Sequence, residues 1–253
     1  LPAGAAPDDM VRALEIHISD ALVDEMRPFI QVAVCVGWAD GRLSPEEIRQ
    51  LLLGTADDID VPESRGPNAD PTKYESLPGW DQRFAYGRPN IRRAVDEVLA
   101  GRLPPEVDVT EPHWFQVLYP DRTPSVAIKG QVSWREDRYQ SADLVVEWAP
   151  GVQPQEGDFT VLDQRTLTSA LEGTLYTWDL SQVTVDNPTM PAPDYDVNRY
   201  LVTFRVRVTL HSADGDLDGV KGEMRKAFHI TRDPTLLPGF PKFVGGSIEG
   251  SPK

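Results

Sequence analysis

Apolar residues recur with one period before Gly101 and with another after it, and this change divides the chain. Over residues 8–27, Met10, Leu14, Ile18, Ala21 and Leu22 line one side of a predicted helix that Pro28 ends. Residues 29–38 are ambiguous. Ile30, Val32, Val34 and Val36 alternate as in a strand, yet so short and apolar a run suits a buried helix equally well. The spacing then predicts a helix over 44–55, with Ser44 as N-cap, Pro45 as first helical residue and Glu47 closing a capping box. Ile48, Leu51, Leu52 and Thr55 share its expected buried face. A second helix is expected over 90–100, opened by Pro89 and Asn90, with Ile91, Ala94, Val95 and Val98 on one face and Gly101 past its end.

Beyond Gly101, the stretch 102–106 with Pro104 and Pro105 reads as a stiff linker, and the period becomes two. Strands are expected over 114–119, 125–134, 143–148, 159–162, 171–180, 200–210 and 223–230. The clearest is 200–210, where Val202, Phe204, Val206, Val208 and Leu210 face one way. Thr203, Arg205, Arg207 and Thr209 face the other, as in an antiparallel strand with one wet face. Val126, Ile128, Val132 and Trp134 repeat the pattern. Seven short strands separated by turn signals point to a β-sandwich of immunoglobulin or fibronectin type. Residues 181–196, with Pro188, Pro191 and Pro193, would cross between its sheets. The expected fold class is therefore α+β and multidomain: a helical segment over 1–101, the linker 102–106, an all-β sandwich over 107–235 and a tail over 236–253.

The helical part carries a resemblance. The run Leu43-Ser44-Pro45-Glu46-Glu47-Ile48-Arg49-Gln50-Leu51-Leu52 leads to Thr55-Ala56-Asp57-Asp58-Ile59, a long loop and Tyr86-Gly87-Arg88-Pro89-Asn90-Ile91-Arg92-Arg93-Ala94-Val95. This order resembles the C-terminal end of a subtilisin-like serine peptidase domain. There a G-x-G-x-x-N-x-x-x-A-V turn docks the last helix on a central parallel sheet. Tyr86 to Asn90 match the core of that turn, and Ala85 stands where many members have glycine. The resemblance implies a secreted, multidomain serine endopeptidase acting on protein substrates, with the N-terminal half of its peptidase domain as this segment's natural partner. Without that half, the apolar helix faces are expected to leave an exposed patch or a loosely packed region. In the tail, Pro238-Gly239-Phe240-Pro241 followed by Gly245-Gly246-Ser247 resembles the lead-in to an integrin-like FG-GAP propeller.

The resemblance also sets a test that this chain does not meet. A G-T-S-x-A-x-P motif belongs shortly before Phe29, yet Asp24, Glu25, Met26, Arg27 and Pro28 stand there. Acyl transfer needs an activated hydroxyl, a histidine in reach and an orienting carboxylate. His17, His113, His211 and His229 read as helix, strand-entrance or strand residues rather than bases. No catalytic residue is expected, and the chain alone should not hydrolyse peptides. The alternative is a non-catalytic extracellular binding or adhesion module built on the sandwich.

Charge and composition narrow the rest. With 25 Lys and Arg against 40 Asp and Glu, the net charge of −15 argues against nucleic acid or an anionic membrane as partner. No apolar run approaches the length of a membrane span, no signal peptide is visible, and a start at Leu1 fits an excised or processed piece. Cys35 is the only cysteine, so no internal disulfide can form. Asp214, Asp216, Asp218 and Gly219 have the D-x-D-x-D-G spacing of a calcium loop. Arg225 stands where the bidentate acid belongs, so this loop reads as a solvated hairpin and no metal or cofactor is expected. Asp57, Asp58 and Asp60 read as a polar helix exit, with Arg65 or Arg83 as neutralising partners.

Overall fold

A computed structural model describes residues 43–70, 72–114, 116–183, 201–230, 242–244 and 247–249. The expectations for 8–27, 29–38, most of 181–196 and most of the tail lie outside these residues. Helix α1 runs Pro45–Gly54 and α2 runs Ile91–Leu99. The strands are β1 Glu106–Glu111, β2 Val117–Leu118, β3 Ser125–Ser133, β4 Ser141–Pro150, β5 Thr160–Leu167, β6 Leu171–Asp179, β7 Leu201–His211, β8 Lys221–Ile230, β9 Lys242–Val244 and β10 Ser247–Glu249. The last two form a short antiparallel pair.

Both helices begin as their sequences dictate. Ser44 Oγ accepts from the Glu47 amide at 3.1 Å, and the Glu47 carboxylate accepts from the Ser44 amide at 2.8 Å. Asn90 Oδ1 accepts from the Arg93 amide at 3.0 Å, so α2 is also side-chain capped. Its exit is a Schellman turn. Arg102 N–H donates to Glu97 O at 2.9 Å and Gly101 N–H to Val98 O at 2.9 Å, with Gly101 at φ 75°.

The strands form two main sheets, β1-β3-β6 and β2-β8-β7-β4-β5. The inward residues of both belong to one apolar core. Val107, Val109, Ile128, Val132, Leu175 and Trp178 come from the first sheet, and Leu144, Val146, Phe204, Val206 and Phe228 from the second. Trp178 and Phe204 meet across it with ring centroids 5.6 Å apart.

Four expectations need correction. Glu106, read as the end of a linker, already belongs to β1, where Val107 and Val109 are fully buried. Flanking acids and two prolines mask this short alternation in the sequence. The strand expected over 114–119 shrinks to β2, which pairs with β8 in parallel, so the second sheet is not purely antiparallel. Strand β5 extends to Leu167, well past the expected end at 162. Finally, the outer face of β7 is not wet along its length: Thr203 and Arg205 are only 3% and 1% exposed. The chain itself covers that face, through the segment 80–86 and the 3-10 helix Glu156–Asp158.

The helices find a partner of their own. Leu51, Ala94, Val98 and Leu103 form a second, small apolar cluster. Against the sheets, however, α1 turns polar side chains. Glu47 and Gln50 are buried, while Ile48 and Leu52 are only half-buried. Of the face expected for α1, Leu51 and Thr55 are buried, so the buried side overlaps the apolar stripe and is turned from it toward Glu47 and Gln50. Leu99 at the end of α2, which is not part of the expected face, is 71% exposed, whereas Ala94 and Val98 of that face are buried in the cluster.

Candidate functional site

Charged side chains concentrate on the outer face of the five-stranded sheet, where α1 and the 80–86 segment lie over β4, β7 and β8. Strand alternation places Val145 and Glu147 of β4, Arg205 and Arg207 of β7, and Glu223 and Arg225 of β8 on this one face, in facing register. Glu147 accepts from Arg205 at 2.9 Å and from Arg207 at 2.7 Å. Arg205 also donates to Glu156 at 2.6 Å, and Arg225 donates to Glu223 at 2.5 Å and Glu156 at 3.1 Å. Aromatic rings cover the cations. The Arg205 guanidinium lies 3.6 Å from the Phe159 ring centroid, and Arg225 lies 5.4 Å from that of Trp80. Three arginines and three glutamates neutralise one another there, so no charge is stranded under the rings.

The same face receives α1. Gln50 donates to Glu223 O at 3.0 Å and accepts from the Glu223 amide at 3.0 Å, inserting its amide group into the edge of β8. Glu47 takes a two-pronged bond from Arg135 at 2.7 and 2.9 Å. Tyr86 donates its hydroxyl to Glu223 at 2.8 Å, and burial, then Glu223, raise its pKa, so the phenol keeps its proton. On the other side of β8, Lys226 ties the sheets together by donating to the carbonyls of Val109 and Pro112. Burial lowers the pKa of its ammonium.

The sequence candidates lie elsewhere. Asp214, Asp216 and Asp218 sit in the β7–β8 turn and bond their own loop. Asp214 accepts from the Asp216 amide at 3.1 Å and Asp218 from the Ser212 amide at 3.1 Å. Among the described residues, no three His, Cys, Asp or Glu side chains converge as a metal site. Calcium at millimolar concentration is accordingly expected to raise the melting temperature no more than magnesium does. A native-state site of ~10 μM affinity would add about 2.7 kcal/mol at about 1 mM, several degrees for a chain this size. A calcium-specific rise of that size, lost in Asp216→Ala, would establish a metal loop.

His211 is held on both ring nitrogens, 2.9 Å from Asp143 and 3.2 Å from Asp218. The neighbouring Ser212 hydroxyl donates to Arg138 O at 2.9 Å and away from the imidazole. The Asp143 contact, and then Asp218, raise the pKa of His211 above its ordinary value, while burial lowers that of His229. A raised folded-state pKa stabilises the protein below the unfolded value near 6.5, and this contribution is lost as pH rises through the folded value. NMR titration is expected to place His211 above 6.5, and Asp143→Asn to move it back down. An unchanged titration in that variant would dissociate the shift from Asp143. The polar helix exit is neutralised as expected by Arg65, which bonds Asp60 at 2.6 Å. Arg83 instead stacks over Tyr74, and Arg93, which sequence reasoning did not single out, pairs with Asp57 at 2.7 Å.

The 57–90 region is organised by one close approach. Asp57 and Arg88 form an isolated antiparallel bridge, with both backbone bonds at 2.8 Å. Gly87, at φ 102°, lies against Asp57 so closely that a Cβ would overlap the Asp57 carbonyl. Ala85 is the one described non-glycine residue with positive φ, at 53°. Asn90 then donates to the Asp57 carboxylate at 3.1 Å while capping α2. No protein-family model matches this chain, and no curated protein matches it.

Proposed function

We propose that this chain is the closing section of a secreted subtilisin-like serine endopeptidase domain together with an accessory immunoglobulin-like sandwich. Within it the sandwich serves as a scaffold clamped to the end of the peptidase domain, and catalysis belongs to residues upstream. The observation that carries this reading is the backbone of the turn from Ala85 to Asn90. The family pattern calls for glycine at the positions of Ala85 and Gly87, and both have left-handed φ, 53° and 102°. Asn90, the third position of the pattern, caps the helix, and Ala94, the fourth, is fully buried against α1.

The strand order supports the sandwich assignment. Lettered A, A′, B, C, C′, E, F and G in chain order, β1 to β8 give sheets A-B-E and A′-G-F-C-C′, the arrangement of immunoglobulin and fibronectin type III domains. The bonds from Gln50, Glu47 and Tyr86 support the scaffold role, since they fasten the helical section to strands far along the chain.

A fluorophosphonate probe applied to the natural protein, followed by peptide mapping, tests the reading. A labelled serine upstream of Leu1, with none in this chain, is the expected result. A natural protein that resists labelling would overturn the peptidase reading in favour of an extracellular binding module.

A further inference from the structure

His211 ends β7, and its two ring nitrogens reach two different elements. Nε2 lies 2.9 Å from Asp143 of β4, and Nδ1 lies 3.2 Å from Asp218 of the β7–β8 turn. An ionised carboxylate only accepts, so both contacts are hydrogen bonds only when both nitrogens carry protons, as in the imidazolium. The neutral ring has one N–H and can keep one of the two. Asp143 is the fixed partner, since it lies within a strand and accepts from Thr166 of β5 at 2.7 Å on its other oxygen. Asp218 lies in the turn, and the oxygen that faces Nδ1 also accepts from the Ser212 amide at 3.1 Å. Loss of the proton therefore sets the Nδ1 lone pair against that oxygen, and the turn is the side that gives way.

The turn also backs the place where the helical section meets the sandwich. Leu217 and Val220 pack on the sandwich core. Asp218 and Val220 face Leu51 and Glu97 across a hollow of about 340 Å³. Ser212 Oγ donates to Arg138 O at 2.9 Å, and Arg138 Nη1 donates to Gly101 O at 3.0 Å, at the exit of α2.

The other charges around the ring are engaged elsewhere. Arg138 points to Gly101, Arg207 pairs with Glu147, Asp214 bonds the Asp216 amide and Asp216 lies toward Arg102. Lys221, at the start of β8, lies opposite Thr209, and β5 contributes the neutral Thr166. Asp143, and then Asp218, raise the pKa of His211. Both carboxylates are held below their ordinary range, Asp143 first by Thr166 and Asp218 first by the Ser212 amide. All three groups are therefore charged together up to the folded value of His211, which lies above 6.5.

We propose that His211 is a pH-sensitive latch: as imidazolium it fastens the β7–β8 turn to β4, and on losing its proton it releases the turn from behind the helical section. The latch does not depend on the peptidase reading, because it is built wholly from residues of this chain.

NMR of the whole chain, titrated from about pH 5 to about pH 9, tests it. The neutral ring is expected to carry its proton on Nε2, toward Asp143, with Nδ1 bare. The Leu217, Gly219 and Gly101 amides should shift with the same midpoint as His211. In Asp218→Ala, His211 should still titrate through Asp143 while those three amides no longer follow it. In His211→Gln, they should stay at their high-pH positions throughout. Both substitutions fall at half-exposed side chains, and either one suffices if the other perturbs the turn. A neutral ring protonated on Nδ1, amides that stay still while His211 titrates, or amides that follow His211 equally in Asp218→Ala would overturn the proposal.

Discussion

Replacing Gly87 with alanine is expected to destabilise the protein by about 3–5 kcal/mol, among the larger effects a single substitution can have. Two costs coincide at this position. The backbone at φ 102° lies outside the range that residues with a Cβ adopt readily, and the new methyl would overlap the Asp57 carbonyl. Relief requires Arg88 to leave Asp57, which breaks both backbone bonds of the bridge. The consequence spreads, because the Asp57 carboxylate also receives Asn90 and Arg93 at the start of α2. Urea denaturation should show the loss, and hydrogen exchange should locate it between α1 and α2. A Gly87→Ala protein within about 1 kcal/mol of the parent would mean that the bridge contributes little to stability. Ala85→Gly provides the contrast. It removes left-handed strain at φ 53° but adds freedom to the unfolded chain, so the net change is expected within about 1 kcal/mol.

Removing the Arg205 guanidinium should be comparably costly, for an electrostatic reason. The side chains of Arg205 and Glu147 are 1% and 4% exposed and meet at 2.9 Å. With Arg205→Met, Glu147 keeps only Arg207, whose side chain is 44% exposed and reaches it at 2.7 Å. Breaking a buried pair by removing one partner costs about 3–5 kcal/mol, because the other charge stays out of water. Removing both charges is different. Arg205→Met combined with Glu147→Leu retains most of the volume packed against Phe159 and leaves Arg207 free to turn outward. The double variant is therefore expected to recover most of the loss, giving a large favourable coupling in a double-mutant cycle. Additive single effects in denaturant melts would show that Arg205 acts through packing on Phe159 alone.

The scale of these two effects follows from where each residue ends up, and the sequence reveals that unevenly. Local signals were legible. The capping box of Ser44 and Glu47, the Asn90 cap and Gly101 mark helix ends because the bonds they make span only a few residues. The alternation from Val202 to Leu210 fixes which side of β7 meets the core, because side-chain direction in a strand has a period of two. Such patterns also identify Asp214, Asp216 and Asp218 as a turn.

Tertiary structure alone decided what covers the opposite face. Thr203, Arg205 and Arg207 carry the polarity of a solvated surface, and nothing within β7 distinguishes the buried Arg205 from the half-exposed Arg207. The difference comes from Glu156, Phe159 and Trp80, which lie far away in sequence and are brought over β7 and β8 by the fold. The burial of Glu47 and Gln50 has the same origin. Helical periodicity assigns the inward side of α1 to Ile48, Leu51, Leu52 and Thr55, of which Leu51 and Thr55 are buried, but Arg135 and the β8 backbone offer bonds that bury Glu47 and Gln50 as well. An apolar pattern reports which residues avoid water. It does not report where a charged or amide side chain will meet a partner that satisfies it, because that depends on residues 49 to 173 positions apart converging in space.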